Sequence, residues 1–237
     1  MKVQLCVIVG CCSMLLAAVP AFAAPHLALN ETEFDFGSVP GGQTVSHVFW
    51  LKSVGEDTLK IIDAKPGCGC TKAPLEKTLL APGDSTRLEV IFTAKKTPGK
   101  IAKSVQVMTN EVAQAKVVRF TAVIEDTTKA DSQLGITPRV ITLANEPAES
   151  QKQTAMALAN LTDHDLALRL IEWPREYVKP DFPTALAAGN TVYVQVTLDA
   201  GARDTTSAKS CTFEAGAEKP IRYTVPIICT RQSLSRR

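Results

Sequence analysis

Short runs of alternating apolar and polar residues dominate the chain. The alternation is clearest in residues 45–52, 87–92 and 118–124. A period of two residues is that of a β-strand with one buried face, so these segments are predicted to be strands. His47 falls on the apolar face of the first one, which places it at the rim of a predicted core.

Turn-forming residues separate these runs, and no stretch shows a sustained helical period. The turn signals include Pro40-Gly41-Gly42, Gly55-Glu56-Asp57, Pro82-Gly83-Asp84 and Pro98-Gly99. Many short strands at this spacing are typical of a β-sandwich. The sequence therefore predicts an all-β fold.

The second half of the chain weakly repeats the first at an offset of about 103 to 107 residues. Residues 159–166 match residues 52–59, and Tyr223-Thr224-Val225 matches Phe120-Thr121-Ala122. This pattern predicts two tandem Ig-like β-sandwich domains. Their predicted bounds are residues 28–125 and 133–231, with a linker at 126–132 and a disordered basic tail at 232–237.

The N-terminus has the pattern of a secretory signal peptide. A lysine is followed by an apolar run, and small residues precede a predicted cleavage site at Ala23/Ala24, so residues 1–23 would be removed. A lipoprotein box ending at Cys11 is the weaker alternative, because apolar residues continue beyond that cysteine. No later segment is apolar enough to span a membrane. We therefore expect a periplasmic or secreted protein of a bacterial envelope.

Charge and motifs argue against several function classes. The formal net charge is +2 and the basic residues are scattered, so no nucleic-acid surface is predicted. There is no nucleophile elbow, phosphate loop or zinc-protease helix, and the carboxylates are dispersed. Hydrolase and transferase chemistry have no support, which leaves a thiol oxidoreductase as the one enzymatic alternative.

Cleavage would leave four cysteines, namely Cys68, Cys70, Cys211 and Cys229. Cys211 and Cys229 both fall on apolar strand faces, and a turn between residues 215 and 220 would bring their strands together. We therefore predict a cross-strand disulfide between them. The loop-entropy estimate assigns such a bond about 3 kcal/mol of stabilisation.

The other two cysteines lie in the sequence KPGCGCT, residues 65–71, where three interpretations remain open. The pair could simply shape a turn. It could be a redox-active dithiol, since Lys65 and Lys72 would favour a thiolate. It could also bind a soft metal, Cu(I) or a shared zinc, with His47 as a further ligand.

The repeat bears on this choice. The positions that correspond to Cys68 and Cys70 fall near Arg175 and Tyr177, so the second copy lacks the pair. A framework role should apply to both copies. The pair is therefore a local property of one loop, which favours a function over a framework role.

The order of several motifs resembles one bacterial family. These motifs are Phe34-Asp35-Phe36-Gly37, Lys52-Ser53-Val54-Gly55, Pro66-Gly67-Cys68-Gly69-Cys70-Thr71, Ala81-Pro82-Gly83-Asp84 and Pro98-Gly99-Lys100. They resemble the domain-of-unknown-function family 1573, an exported Ig-like group related to the ASH, MSP and PapD sandwiches. The resemblance covers about residues 28–125 and implies a fold and an exported location, but no activity. Ser53 stands where the family usually has asparagine.

These observations together predict an exported, non-enzymatic binding or scaffolding protein. Its partner would be a protein of the cell envelope, recruited by strand edges and end loops. The alternative is a thiol-redox or copper-handling protein that uses Cys68 and Cys70.

Overall fold

The structure, a computed structural model, describes residues 24–111, 115–126, 133–145, 153–175, 178–198 and 208–231. The predicted signal peptide, most of the predicted linker and the basic tail lie outside these residues. The described residues form strands, turns and bends without a helix, which confirms the all-β prediction. It follows that this part of the chain has no helix long and apolar enough to cross a membrane.

Nine strands form the N-terminal half. They are β1 (Leu27–Leu29), β2 (Glu33–Val39), β3 (Thr44–Ser53), β4 (Leu59–Pro66), β5 (Thr71–Lys72), β6 (Leu79–Leu80), β7 (Ser85–Thr93), β8 (Gly99–Thr109) and β9 (Lys116–Ile124). One sheet has the order β1-β3-β7-β5, and the other contains β2-β9-β8-β4-β6. Buried apolar side chains from both sheets form one cluster between them, as expected for a β-sandwich.

Nine further strands form the C-terminal half. They are β10 (Leu134–Thr137), β11 (Ile141–Asn145), β12 (Gln153–Asn160), β13 (Leu166–Glu172), β14 (Val178–Pro180), β15 (Ala185–Leu186), β16 (Thr191–Leu198), β17 (Lys209–Ala215) and β18 (Ile221–Arg231). One sheet has the order β10-β12-β16-β14, and β15-β13-β17-β18 continue the large sheet, with β11 beside β18. A second apolar cluster fills this half.

The strand pairings of the first half recur in the second at an offset of 106 or 107 residues. Leu27 pairs with Ser53, for example, and Leu134 pairs with Asn160. The same register makes Lys116, not Phe120, the counterpart of Tyr223. The sequence match of residues 223–225 with 120–122 is therefore wrong by four positions.

The alternating pattern corresponds to real strand faces. The predicted strands at 45–52, 87–92 and 118–124 lie in β3, β7 and β9. Phe49 and Leu88 form a cross-strand pair, and both are fully buried. These strands form because every second side chain can leave water together with its neighbours on the facing sheet.

The two halves meet where β18 lies parallel to β2, with Tyr223 opposite Ser38. Gly37 permits this approach, since a Cβ there would lie 2.1 Å from the Arg222 carbonyl oxygen. Its φ of +63° is also a conformation that favours glycine. The Thr224 hydroxyl donates a hydrogen bond to the Phe36 carbonyl across the junction, at 2.6 Å. The large sheet thus continues through both halves as ten strands.

The predicted disulfide between Cys211 and Cys229 is wrong. Cys211 is a buried free thiol. The predicted turn does connect β17 to β18, but its register places Cys211 opposite Val225, four residues short of Cys229. Four strand residues span about 13 Å, well beyond the Cα separation that a disulfide can bridge.

Candidate functional site

A cleft of about 450 Å³ lies between the two halves. The N-terminal half lines it with residues that precede or belong to β2, β3 and β7, and the C-terminal half with the end of β13, the segment that follows and the start of β17. Both tryptophans of the chain, Trp50 and Trp173, are among the lining residues. The cleft therefore concentrates the chain's tryptophans at one site.

His47 links the two halves at the cleft. Its ring Nε2 lies 3.0 Å from Glu31 Oε1, and its Nδ1 is hydrogen-bonded to Glu172 of the C-terminal half. The imidazole is stacked on Phe34 with ring centroids 3.6 Å apart, and His47 is 5% exposed. A doubly protonated ring is the one form that donates to both carboxylates at once.

The surroundings of His47 favour that charged form. Burial disfavours the imidazolium, but the hydrogen bonds with Glu172 and Glu31 outweigh it, so the pKa of His47 is raised above its usual value. The hydrogen bond with His47 in turn holds the pKa of Glu31 below its usual range, against the effect of burial. His47 therefore connects the two halves through charged hydrogen bonds to Glu31 and Glu172.

Two further contacts fix one wall of the cleft against the other. The Ser210 hydroxyl donates to the Ser46 carbonyl at 2.9 Å and accepts from the Ser46 N–H at 3.2 Å. Lys209, which is buried, forms an ion pair with Glu89 at 3.1 Å. These bonds join β17 to β3 and β7, so the cleft has a defined shape.

An arginine lies over each cleft tryptophan. The Arg87 guanidinium carbon is 5.9 Å from the Trp50 ring centroid, and that of Arg175 is 4.5 Å from the Trp173 centroid. Trp50 is 47% exposed and therefore offers contact area to a ligand. Such amphipathic aromatic surfaces, with nearby charges to orient a ligand, are common at protein interaction sites.

The CGC loop lies elsewhere, between β4 and β5. Cys68 and Cys70 form a disulfide with each other, and both are partly buried. The Thr71 hydroxyl lies 3.5 Å from the Cys68 sulfur, and the Thr93 N–H donates to the Cys70 carbonyl at 2.9 Å. The loop is thus tied to β7 by its backbone, while Gly69 stays exposed.

The structure does not bring His47 to this loop. Both ring nitrogens of His47 are engaged by carboxylates, and the residues that line its cleft include neither Cys68 nor Cys70. Within the described ranges no three His, Cys, Asp or Glu side chains converge as a metal-binding group. A soft-metal site at Cys68 and Cys70 would need reduction of their disulfide first, because the thiolate is the metal ligand.

Cys211 lies in the core of the C-terminal half at 5% exposure. Burial, with a smaller contribution from the Glu172 carboxylate, raises the pKa of its thiol to about 12. A buried thiol that stays protonated at neutral pH is a poor nucleophile. Cys211 is therefore a core residue.

Sequence reasoning selected His47 but not its partners. Glu172 lies 125 residues away, and nothing in the local pattern around it points to His47. The one available signal for the cleft is composition, because the chain has just two tryptophans.

Three solved structures are similar to this chain at low identity. A protein of unknown function from Porphyromonas gingivalis W83 is 13% identical, with a TM-score of 0.34, over 85% of this chain and 99% of its own. The ASH/PapD-like domain 7 of human CEP192 is 10% identical, with a TM-score of 0.37, over 51% of this chain and 99% of its own. The YadV chaperone is 11% identical, with a TM-score of 0.34, over 84% of this chain and 98% of its own.

These TM-scores are all below 0.5, so the similarities carry no argument about this protein. No curated protein sequence matches the chain. A family match exists for residues 27–124, which correspond to the N-terminal half from β1 to the end of β9. This confirms the resemblance indicated by the order of the motifs: residues 27–124 match the model of the family described as Protein of unknown function (DUF1573).

Proposed function

We propose that this chain is an exported, non-enzymatic binding protein of a bacterial cell envelope, with two tandem Ig-like domains that hold a protein partner in the cleft between them. The observation that carries the proposal is the cleft itself, where both tryptophans lie between walls fixed by His47 and Ser210. A preformed concave site with a few oriented charges is what a binding module requires.

The recurrence of the same strand pairings supports the tandem arrangement. The signal-peptide pattern of residues 1–23 supports export. Intact-mass measurement of the protein isolated from its native cells tests whether the chain is exported. A mass that corresponds to a mature chain beginning at Ala24 is expected, and a full-length mass in the cytoplasmic fraction would refute export.

The cleft is tested by peptide selection and tryptophan emission. Binders selected from a random-peptide library on the wild-type chain should shift the emission when titrated, because both emitting residues line the cleft. Trp50→Ala and Trp173→Ala should each weaken binding about tenfold, as expected of aromatic contacts at an interface. Tyr193→Ala is the matched control, since Tyr193 is 67% exposed and is not a cleft residue.

The control variant should bind the selected peptides as the wild type does. Peptides that bind both tryptophan variants with unchanged affinity would show that the cleft is not the binding site. Failure to select any peptide at millimolar affinity or better would count against a peptide-binding module.

A second candidate function is thiol–disulfide exchange at the CGC loop, favoured by the partly exposed Cys68–Cys70 disulfide. A partner thiolate would attack one sulfur and form a mixed disulfide, with the other cysteine leaving as a thiolate that takes up a proton. A second thiol of the partner would then displace the remaining cysteine. The partner dithiol is oxidised and the CGC pair is reduced.

The double variant Cys68→Ser/Cys70→Ser separates the two functions. A binding module should retain its selected peptides, whereas the exchange protein should lose insulin-reductase activity in the presence of a dithiol reductant. The same variant tests copper handling, because Cu(I) binding by the reduced wild type should disappear. Wild-type protein without either activity would exclude the second candidate.

A further inference from the structure

The chain contains the sequence Ala-Lys-Ser twice, at residues 102–104 and 208–210. The two copies occupy corresponding positions. Lys103 of β8 pairs with Phe120 of β9, and Lys209 of β17 pairs with Ile227 of β18, at offsets of 106 and 107 residues. What the second copy contacts is therefore a guide to what the first copy can contact.

The second copy docks against the N-terminal half. The Ser210 hydroxyl exchanges hydrogen bonds with the Ser46 backbone, and the Ser46 hydroxyl donates to the Ala208 carbonyl at 2.8 Å. Lys209 forms its ion pair with Glu89. The segment 208–210 therefore binds the strand face that β3 and β7 present.

The first copy has no such contact. Ala102 is exposed, and Lys103 and Ser104 are partly exposed. The side chains of Lys103 and Ser104 make no hydrogen bond or ion pair with any described residue, in contrast to those of Lys209 and Ser210. The Ser104 carbonyl accepts a hydrogen bond from Gly67 N–H at 2.9 Å, so this surface is continuous with the CGC loop.

Charge distinguishes the two surfaces. The register makes Lys65 of β4 the counterpart of Glu172 of β13, which contacts His47. Lys65 is exposed, and within the described residues its ammonium group has no ion pair. The positions of the first copy that correspond to Glu172 and Lys209 are therefore both basic, and the uncovered surface around Lys103 fits a strand face with an acidic group.

The C-terminal half offers such a face. The strands that correspond to β3 and β7 are β12 and β16, where Gln195 takes the place of Glu89 and is exposed. The Asp181 N–H donates to the Gln195 carbonyl at 3.1 Å, and Asp181 is exposed. No described residue forms an ion pair with the Asp181 carboxylate.

We propose that a second copy of this chain occupies the uncovered surface around Lys103, so that Lys103 of one molecule meets Asp181 of the next. Among the described residues, each molecule presents an uncovered donor surface on the N-terminal half and an uncovered acceptor face on the C-terminal half. Contacts of this kind are heterologous, so they join molecules head to tail, into a closed ring or an open chain, as concentration rises. The proposal does not depend on a ligand in the cleft between the halves.

Sedimentation velocity over a concentration series tests this with charge-swapped variants. The wild type should form larger species as concentration rises. Lys103→Glu and Asp181→Lys should each weaken the association about tenfold, because each places like charges opposite one another. An equimolar mixture of these two variants, and the double variant Lys103→Glu/Asp181→Lys, should both recover it. Lys60→Glu, at an exposed position of β4 outside this surface, is the charge-matched control.

A wild type that stays monomeric up to millimolar concentration would overturn the proposal. Association that the single variants leave unchanged, or that the mixture does not restore, would also overturn it. Circular dichroism of each variant checks that the fold is retained, and the recovery in the mixture is a signal that misfolded variants could not give.

Discussion

Ser210 and Ser46, one from each half of the chain, are hydrogen-bonded twice. The Ser210 hydroxyl donates to the Ser46 carbonyl at 2.9 Å and accepts from the Ser46 N–H at 3.2 Å. Both residues are buried, so no water replaces either bond if the hydroxyl is removed. A single side chain thus satisfies two backbone groups of the neighbouring half.

Ser210→Ala should therefore destabilise the protein by about 2 kcal/mol, the cost of leaving buried backbone groups without partners. For a chain of this size that corresponds to a decrease in Tm of about 4–8 °C. The matched control is Ser104→Ala at the corresponding position of β8, which should change Tm by about 1 °C or less. Equal effects of the two variants would contradict the role of Ser210 in joining the halves.

Protonation of His47 should make stability depend on pH. The folded-state pKa of His47 is raised, so its stabilisation is fully present below its unfolded pKa of about 6.5 and is lost as pH rises through the folded value. The physical cause is that a neutral imidazole has one N–H and serves one carboxylate. Tm of the wild type should fall over this interval relative to that of His47→Gln, which does not titrate.

The matched control for this measurement is His164→Gln, because His164 is exposed and joins no elements of the two halves. Its Tm profile should follow that of the wild type. A constant Tm difference between the wild type and His47→Gln across the interval would show that the ring does not connect the halves through charged hydrogen bonds.

Ser53→Asn should stabilise the N-terminal half. At the corresponding position the Asn160 amide donates to the His164 and Leu186 carbonyls, at 2.8 and 3.0 Å, and its oxygen accepts from the Thr162 N–H at 2.9 Å. Ser53 is fully buried and its hydroxyl has no protein partner. An asparagine there should add about 1 kcal/mol, measured as an increase in Tm of about 2–4 °C.

The reciprocal variant Asn160→Ser should lower the free energy of unfolding by about 3 kcal/mol, because the carbonyls that the amide satisfies lose their donor. A decrease in Tm for Ser53→Asn would mean that the cavity around Ser53 is too small for the longer side chain.

The cysteines should differ in their reaction with a maleimide. In the native protein Cys211 should stay unlabelled, because it is buried and its thiol pKa is raised to about 12. Cys68 and Cys70 should become labelled after addition of a reductant that breaks their disulfide. Peptide mapping distinguishes these sites, and labelling of Cys211 in guanidinium chloride confirms that it is a free thiol. A Cys211–Cys229 cross-linked peptide would contradict the register of β17 and β18.

The sequence predicted the strands and turns that depend on the local alternation of apolar and polar residues. The strands around residues 45–52 and 87–92 follow from side chains that alternate between core and solvent, and the turn after Ala215 follows from its composition. The Cys211–Cys229 disulfide failed because the register of β17 and β18 places Cys211 opposite Val225, four positions before Cys229. A two-residue period determines which face of the sheet a residue occupies, but it does not determine which residue of the neighbouring strand lies opposite it.

The cleft could not be predicted because it depends on the relative placement of the halves. The contact of His47 with Glu172 joins residues 125 positions apart, through a junction that Gly37 and Thr224 create. Neither a histidine nor a glutamate in the sequence indicates that such a junction exists. His47 was correctly placed on an apolar strand face, but the burial of its ring between two carboxylates is a property of the assembled pair of halves.

β18, the last strand among the described residues, completes the first half as well as the second, because it pairs with β17, β11 and β2. During synthesis the edge of β2 that faces away from β9 therefore has no strand partner at Ser38 until Tyr223 has left the ribosome. Such an edge can pair with other chains in the interval. Nascent chains truncated before residue 221 should consequently aggregate more readily than the full-length protein and depend more strongly on chaperones.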